Sequence, residues 1–221
     1  MIRLRRLAGL ALLPTVLLTG CNAVPDLNPG AAFRVDDQTV SMGQVDDVST
    51  AYCQYVETQL QQGQVLAQHY LRGRVAGSLA LRNAADQFAA DHDVTADPAY
   101  DAAVKQAEQG LADLPDDQQQ AVIDVQGADS YVQAVEKSVG ASLGASGDKA
   151  QVAAGQKAFA QWLSDNDVQI DPRFGVSIDS GSAAPTDTSV SFAVGDTAKK
   201  ADADQPDTDY AGALPDTQRC G

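Results

Sequence analysis

Phe33-Arg34-Val35-Asp36-Asp37-Gln38-Thr39-Val40-Ser41-Met42-Gly43-Gln44 changes its period in mid-stretch, and that change sets the fold. Phe33-Arg34-Val35 and Gln38-Thr39-Val40 alternate apolar with polar on either side of Asp36-Asp37, the pattern of two strands joined by a tight turn. Ser41 followed by Gln44 three residues on is a capping box, in which two side chains satisfy N–H groups that a helix start leaves unpaired. Val45, Val48, Tyr52, Val56 and Leu60 then recur at helical spacing on one face, and Gly63 closes the run. A small hairpin therefore opens directly into a helix.

The helical period dominates from there. A second helix is expected over 67–91, with Leu71, Val75, Leu79 and Phe88 facing in. Asp97-Pro98 is an N-cap with proline at the first helical position, and Tyr100, Val104, Ala107, Leu111 and Leu114 follow at helical spacing. Pro115-Asp116 restarts the chain into a short helix carrying Val122 and Val125. A fifth helix carries Val132, Val135, Val139 and Leu143, and after the turn at 144–148 a sixth places Val152, Phe159, Trp162 and Leu163 on one side. Val168–Ile170 alternates and stops at Asp171-Pro172, which predicts a strand pairing back onto the segment 33–40. The expected class is mostly α (α+β): a helical body with a small sheet made of the N-terminal hairpin and a returning C-terminal strand. From Ser180 the composition turns to Ser, Gly, Ala, Pro, Thr and Asp, and 176–221 is expected to be an acidic, largely irregular tail. Within it, Val190, Phe192 and Val194 alone alternate like a strand.

Working outward to the N-terminus, Arg3, Arg5 and Arg6 precede the apolar run Leu7–Leu18, and small residues lead to a cysteine at Leu18-Thr19-Gly20-Cys21. The run is short for a helix that must span a bilayer, which takes about 20 apolar residues, and it fits an export signal over 1–20. Leu-Thr-Gly-Cys resembles the lipobox of bacterial lipoproteins. That resemblance implies that Cys21 is lipidated and becomes the first residue of the mature chain, with 21–32 a short tether. Two or more acyl chains satisfy the requirement of stable anchoring. The expected location is the extracytoplasmic face of the cell membrane.

The charge limits the partners. The chain carries a formal net charge of −15, and loss of the three signal arginines takes the mature body to −18. Such acidity repels phosphate backbones and anionic headgroups, which argues against nucleic acid and against any membrane contact beyond the lipid anchor. The acid is almost all aspartate, glutamate standing only at 57, 108 and 136; aspartate favours caps and turns over helix interiors. Beyond Cys21 only Cys53 and Cys220 remain. In an exported chain such a pair is a disulfide candidate, the alternative being two free thiols with Cys53 packed in a helix face.

Two ends of the body together are similar to a known family. Phe33–Ser41 followed by Gln44-Val45-Asp46 resembles the entry of the SurA/PpiD/PrsA-type foldases, where a "V-[ND]-G-x-x-[IV]-[ST]" hairpin leads into the first helix of the chaperone domain. Asp37 stands where that family usually has glycine. Asp167-Val168-Gln169-Ile170-Asp171-Pro172-Arg173-Phe174-Gly175 resembles the closing strand of the same SurA N-terminal-like domains, and actinobacterial lipoproteins of that type show a similar Asp-Pro-Arg-[Tyr/Phe]-Gly. The resemblance spans 33–175 and implies a chaperone-like helical domain. The parvulin-type isomerase domain of the larger members, about 100 residues, has no counterpart in this sequence.

Other constellations carry no chemistry. Asp91-His92-Asp93 lacks the three or four convergent ligands of a metal site, His69 being the only other histidine. Asp202, Asp204, Asp207 and Asp209 lack the glycine and terminal glutamate of a calcium loop, and Pro206 interrupts them. Gly144–Lys149 has neither the spacing nor the ending of a phosphate loop, and no Gly-x-Ser-x-Gly elbow occurs. No catalytic, cofactor or metal residue is assigned, and no small-molecule substrate is evident. The expectation is a lipid-anchored, non-catalytic, chaperone-like binder of unfolded or secreted protein clients; the alternative is a structural or scaffolding lipoprotein that holds one folded envelope partner.

Overall fold

The computed structural model describes residues 30–36, 38–187, 193–201, 203 and 205–221. Strands β1 (Ala31–Val35) and β2 (Gln38–Ser41) form the expected hairpin, with Phe33 opposite Val40. Helix α1 (Met42–Gln59) starts on a complete capping box: the Gln44 amide N–H donates to Ser41 Oγ at 3.2 Å, and Ser41 N–H donates to Gln44 Oε1 at 2.9 Å. Strand β3 (Leu66–Ala67) precedes α2 (Gln68–Asp91), the longest helix. Then come α3 (Pro98–Gly110), α4 (Asp116–Gln126), α5 (Ala128–Ser142) and α6 (Asp148–Asp165). Strand β4 (Val168–Ile170) returns to the sheet. Beyond it lie β5 (Val176–Asp179), β6 (Ser182–Pro185), α7 (Asp196–Ala201), α8 (Thr208–Gly212) and β7 (Arg219–Cys220). The class is mostly α with small antiparallel sheets.

The main sheet has the order β2-β1-β4. β4 lies antiparallel to β1 with Phe33 opposite Ile170 and Val35 opposite Val168. Asp36 N–H donates to the Asp167 carbonyl at 3.1 Å and Asp171 N–H to the Ala32 carbonyl at 2.8 Å, and Arg34 Nη2 bonds Asp167 Oδ2 at 3.0 Å. Ala31 and Ala32, expected in the tether, belong to β1. Ala32 is fully buried and its carbonyl holds the returning chain, so the strand starts where that bond is needed.

Helix α2 is the axis of the molecule, packing on α1, α4, α5, β1 and the β5–β6 hairpin. Its buried face alternates bulk with minimal size: Leu71, Val75, Leu81 and Phe88 among Gly73, Gly77, Ala76, Ala80, Ala84 and Ala85. Alanines and glycines let neighbouring backbones come close, and one contiguous core results. Leu79, expected inside, is only partly buried at its edge. α5 and α6 form an antiparallel pair whose closest approach is made by two glycines. A Cβ at Gly140 would overlap the Gln151 carbonyl, and one at Gly155 would overlap that of Glu136.

Two apolar stripes are less covered than their spacing suggests. No residue of α3 is fully buried, because this helix lies on the outside of α4 and α5, capped at Asp97 by a bond from Ala99 N–H at 3.0 Å. Leu143, at the end of the α5 stripe, is 56% exposed because it caps the helix beside the turn.

The region after 175 is more ordered than its composition suggests. Asp171 accepts from Arg173 N–H, fixing a single 3-10 turn over Pro172–Phe174, and Gly175 takes a left-handed conformation (φ 57°) that redirects the chain. Val176 and Ala183 then pack at Gly77, where even a methyl group would crowd both, so small residues form a hairpin against α2. The segment containing Val190 and Phe192 lies outside the described residues; Val194 is 86% exposed. At the C-terminus β7 pairs with β3, and α8 packs against β3.

Candidate functional site

A concave surface lies where α2 meets the β5–β6 hairpin. Tyr70, Arg74, Ser78 and Leu81 fall three to four residues apart, hence on one stripe of α2, and all line a cavity of about 420 Å³. The junction of α4 with α5 contributes Val125, Gln126 and Asp129 to the facing wall, and the 3-10 turn with the hairpin contributes Phe174, Val176 and Pro185. Ala201 and Ala203 close one side.

The lining is graded. Leu81, Val125, Phe174 and Val176 are buried, and they form an apolar floor. His69, Arg74, Gln126, Asp129 and Asp187 are exposed and make a polar rim of mixed charge. Arg72 Cζ lies 5.7 Å from the centre of the Phe174 ring, holding that floor residue from behind, while its Nη2 bonds Asp46 Oδ1 of α1 at 2.5 Å. The Ser78 hydroxyl donates to the Val125 carbonyl at 3.2 Å, so it joins two walls. A volume of this size lies in the range of small-ligand sites. Its floor has room for one or two apolar side chains, and its rim carries hydrogen-bonding groups.

A second, more open groove of about 330 Å³ runs beside α3, and Arg82 governs it. Arg82 Nη1 donates to the Tyr100 hydroxyl at 2.7 Å, its Cζ sits 4.5 Å over the Tyr131 ring, and its Nε lies 3.5 Å from Asp124 Oδ1. Tyr131 donates to Asp86. Burial pushes the Tyr131 hydroxyl above the usual tyrosine range and raises the Asp124 carboxyl, against the lowering effect of Arg82. With ring faces and a carboxylate around it, this guanidinium fastens α2, α3, α4 and α5 together.

Cys53 and Cys220 form a disulfide, with Cα atoms 5.7 Å apart. Cys220 is fully buried against α1. Glu57 converges on the same two sulfurs, the single such donor group among the described residues, but sulfur in a disulfide is no thiolate ligand. Instead Glu57 accepts from Gly221 N–H at 3.3 Å. Asp91 accepts from Trp162 Nε1 at 2.8 Å and His92 lies edge-on to Phe88, so both serve packing at the end of α2. Asp207 caps α8 by accepting from Tyr210 N–H at 2.7 Å, and with Asp209 it flanks Lys200. Asp202 and Asp204 lie outside the described residues, as do Cys21 and the export signal. No helix among the described residues is long and apolar enough to cross a membrane.

The cavity was not legible in the sequence because Val176, Ala183, Pro185, Thr186 and Asp187 of its wall come from the stretch that reads as an irregular tail. The readable signal was Gly73 and Gly77 at i, i+4 on α2, a small-residue seam that admits a close neighbour. Glu136 escaped for a different reason: nothing in Val135-Glu136-Lys137 distinguishes a buried carboxylate from an exposed one. Searches of protein-family models, of curated proteins and of solved structures return no match to this chain.

Proposed function

We propose that this chain is an exported lipoprotein, anchored through Cys21 at the outer face of the cell membrane, that binds unfolded or secreted protein clients without catalysis. The observation that carries the reading is the cavity beside α2, whose buried apolar floor and polar rim suit short extended segments of many sequences. Apolar contact gives affinity with little sequence preference, and rim groups can meet peptide N–H and C=O groups. The likeness of 33–41 with 44–46, and of 167–175, to the SurA-type chaperone domain supports the same reading, as does an N-terminus patterned for export. The net charge of −15 limits self-association and favours basic clients.

An aggregation assay with the purified chain and several unrelated unfolded proteins tests this. Stoichiometric amounts suppress aggregation of more than one of them, and Ala203→Trp, which fills the mouth of the cavity from an exposed position, weakens the effect. Suppression of none, together with crosslinking in cells to a single folded partner, hands the case to a scaffolding lipoprotein.

A further inference from the structure

Glu136 is the one buried carboxylate among the described residues, 5% exposed on the face of α5 turned toward α6. It lies at the glycine crossing: its own carbonyl is the atom that leaves no room for a side chain at Gly155. The Gln156 side chain stands beside its carboxyl and favours the ionised form. The tip of the β5–β6 hairpin lies over it as well, where a methyl group on Gly181 would touch both Glu136 Oε1 and the Phe159 ring. Ser180 and Gly181 both take positive φ (50° and 87°), as the tight two-residue hairpin turn requires. One end of this hairpin thus covers a carboxyl, and the other end, at Val176 and Pro185, walls the cavity.

The charged groups of the surrounding elements are engaged elsewhere or stand in solvent. On α5, Lys137 binds Asp97 and Asp148 at 3.1 and 3.2 Å. On α2, Arg82 is held by Tyr100 and Asp124, Asp86 accepts from Tyr131 and Asp91 from Trp162, while Arg74 is exposed. On the hairpin Asp179 accepts from the Ser180 hydroxyl, and on α6 Lys157 is exposed. Burial is the main cause acting on Glu136 and raises it to about 7, opposed by the Gln156 side chain alone.

We propose that Glu136 is a proton-controlled clasp on the β5–β6 hairpin: protonated, it lets the hairpin tip seat on α5 and α6, and ionised, it drives the tip off and opens the cavity wall. Ionisation in that site leaves a carboxylate that burial disfavours, with the Gln156 side chain alone opposing that cost. Lifting Ser180-Gly181 admits water to it, and Val176 and Ala183 move with the tip because they belong to the same two strands. The regulatory meaning of the clasp rests on the cavity being the client site; its existence does not.

Amide hydrogen exchange of the purified full chain, expressed as protection factors for 176–184, tests it without any client. Opening rises as the pH passes from the ordinary glutamate range to about 7 and levels off above. Protection of the hairpin therefore falls on the order of 50-fold between pH 5 and pH 8. Glu136→Gln, and Glu136→Met as a second neutral replacement of similar volume, make it independent of pH. Three results overturn the clasp: a pH-independent hairpin in the unaltered chain, the same pH response in both variants, or protection of 176–184 that equals that of α2 and α5 at every pH, which signifies opening by global unfolding alone. An inactive chain in the aggregation assay with a pH-responsive hairpin removes the client reading and leaves the clasp.

Discussion

Phe33 and Ile170 face each other across the antiparallel pair that closes the body, one on the first strand and the other on the segment that follows the sixth helix. Phe33 is 2% exposed and belongs to the central core, so this pair fastens the two ends of the helical run to its middle. Phe33→Ala removes a buried ring and leaves a cavity where the sheet meets α2. A loss of about 3–5 kcal/mol is expected in urea unfolding. Ile170→Ala, at a half-buried position, costs less. Equal and small effects from both would mean that the strand pairing contributes little.

Gly155→Ala tests the α5–α6 crossing. On intrinsic preference alone, alanine would stabilise a helix by up to about 1 kcal/mol over glycine. Here the added methyl meets the Glu136 backbone carbonyl, and overpacking of this kind costs about 1–3 kcal/mol or more. The expected outcome is a lower melting temperature, with Gly110→Ala, which faces open space on α3, as the opposite-signed control.

The Cys53–Cys220 bond spans 167 residues. In the chain-entropy model a loop of that length constrains the unfolded state by about 5 kcal/mol, and typical measured values are about 2–4. Cys220→Ser should lower stability by an amount in that range and loosen β7 and α8 first. Peptide mass mapping without reductant reads the linkage directly: a 53–220 crosslinked fragment is expected, and two alkylated thiols would refute it.

Glu136 gives stability a distinctive pH dependence. Its folded value of about 7 lies above the ordinary 4.5, so between these pH values the native chain holds a proton that the unfolded chain has released. Its contribution is complete below about pH 4.5 and is lost as the pH rises toward 7, a fall of about 3 kcal/mol, flat thereafter. Asp97 and Asp171 act in the reverse sense and at lower pH, since hydrogen bonds hold both carboxyls below their usual range. Unfolding free energies of the chain and of Glu136→Gln across pH 4.5–8 should therefore converge in acid and separate toward neutrality.

Lipidation at Cys21 is read by mass spectrometry of the N-terminal peptide. A diacylglyceryl adduct on Cys21 with cleavage after Gly20 is expected, and Cys21→Ala should release the protein from the membrane or leave the precursor uncut. An unmodified N-terminus elsewhere would end the lipoprotein reading.

Sequence alone determined the elements whose cause is local. Ser41 and Gln44 make a helix start from two side chains three residues apart, Asp97-Pro98 does the same for α3, and β1, β2 and β4 follow from alternation bounded by turn residues. Only the tertiary structure decided the rest. Val176–Pro185 is too poor in large apolar residues to announce a hairpin, and it forms because Gly77 gives it a surface to lie against. The stripe of α3 reads like those of α2 and α5, yet it buries no residue fully, since periodicity shows which face is apolar and not what covers it. Glu136 differs from any exposed helical glutamate only through α6 and the Gly181 turn, contributed by residues far along the chain. Caps and periods depend on neighbours in sequence, whereas burial, cavities and the ionisation of a buried acid depend on which distant surfaces meet.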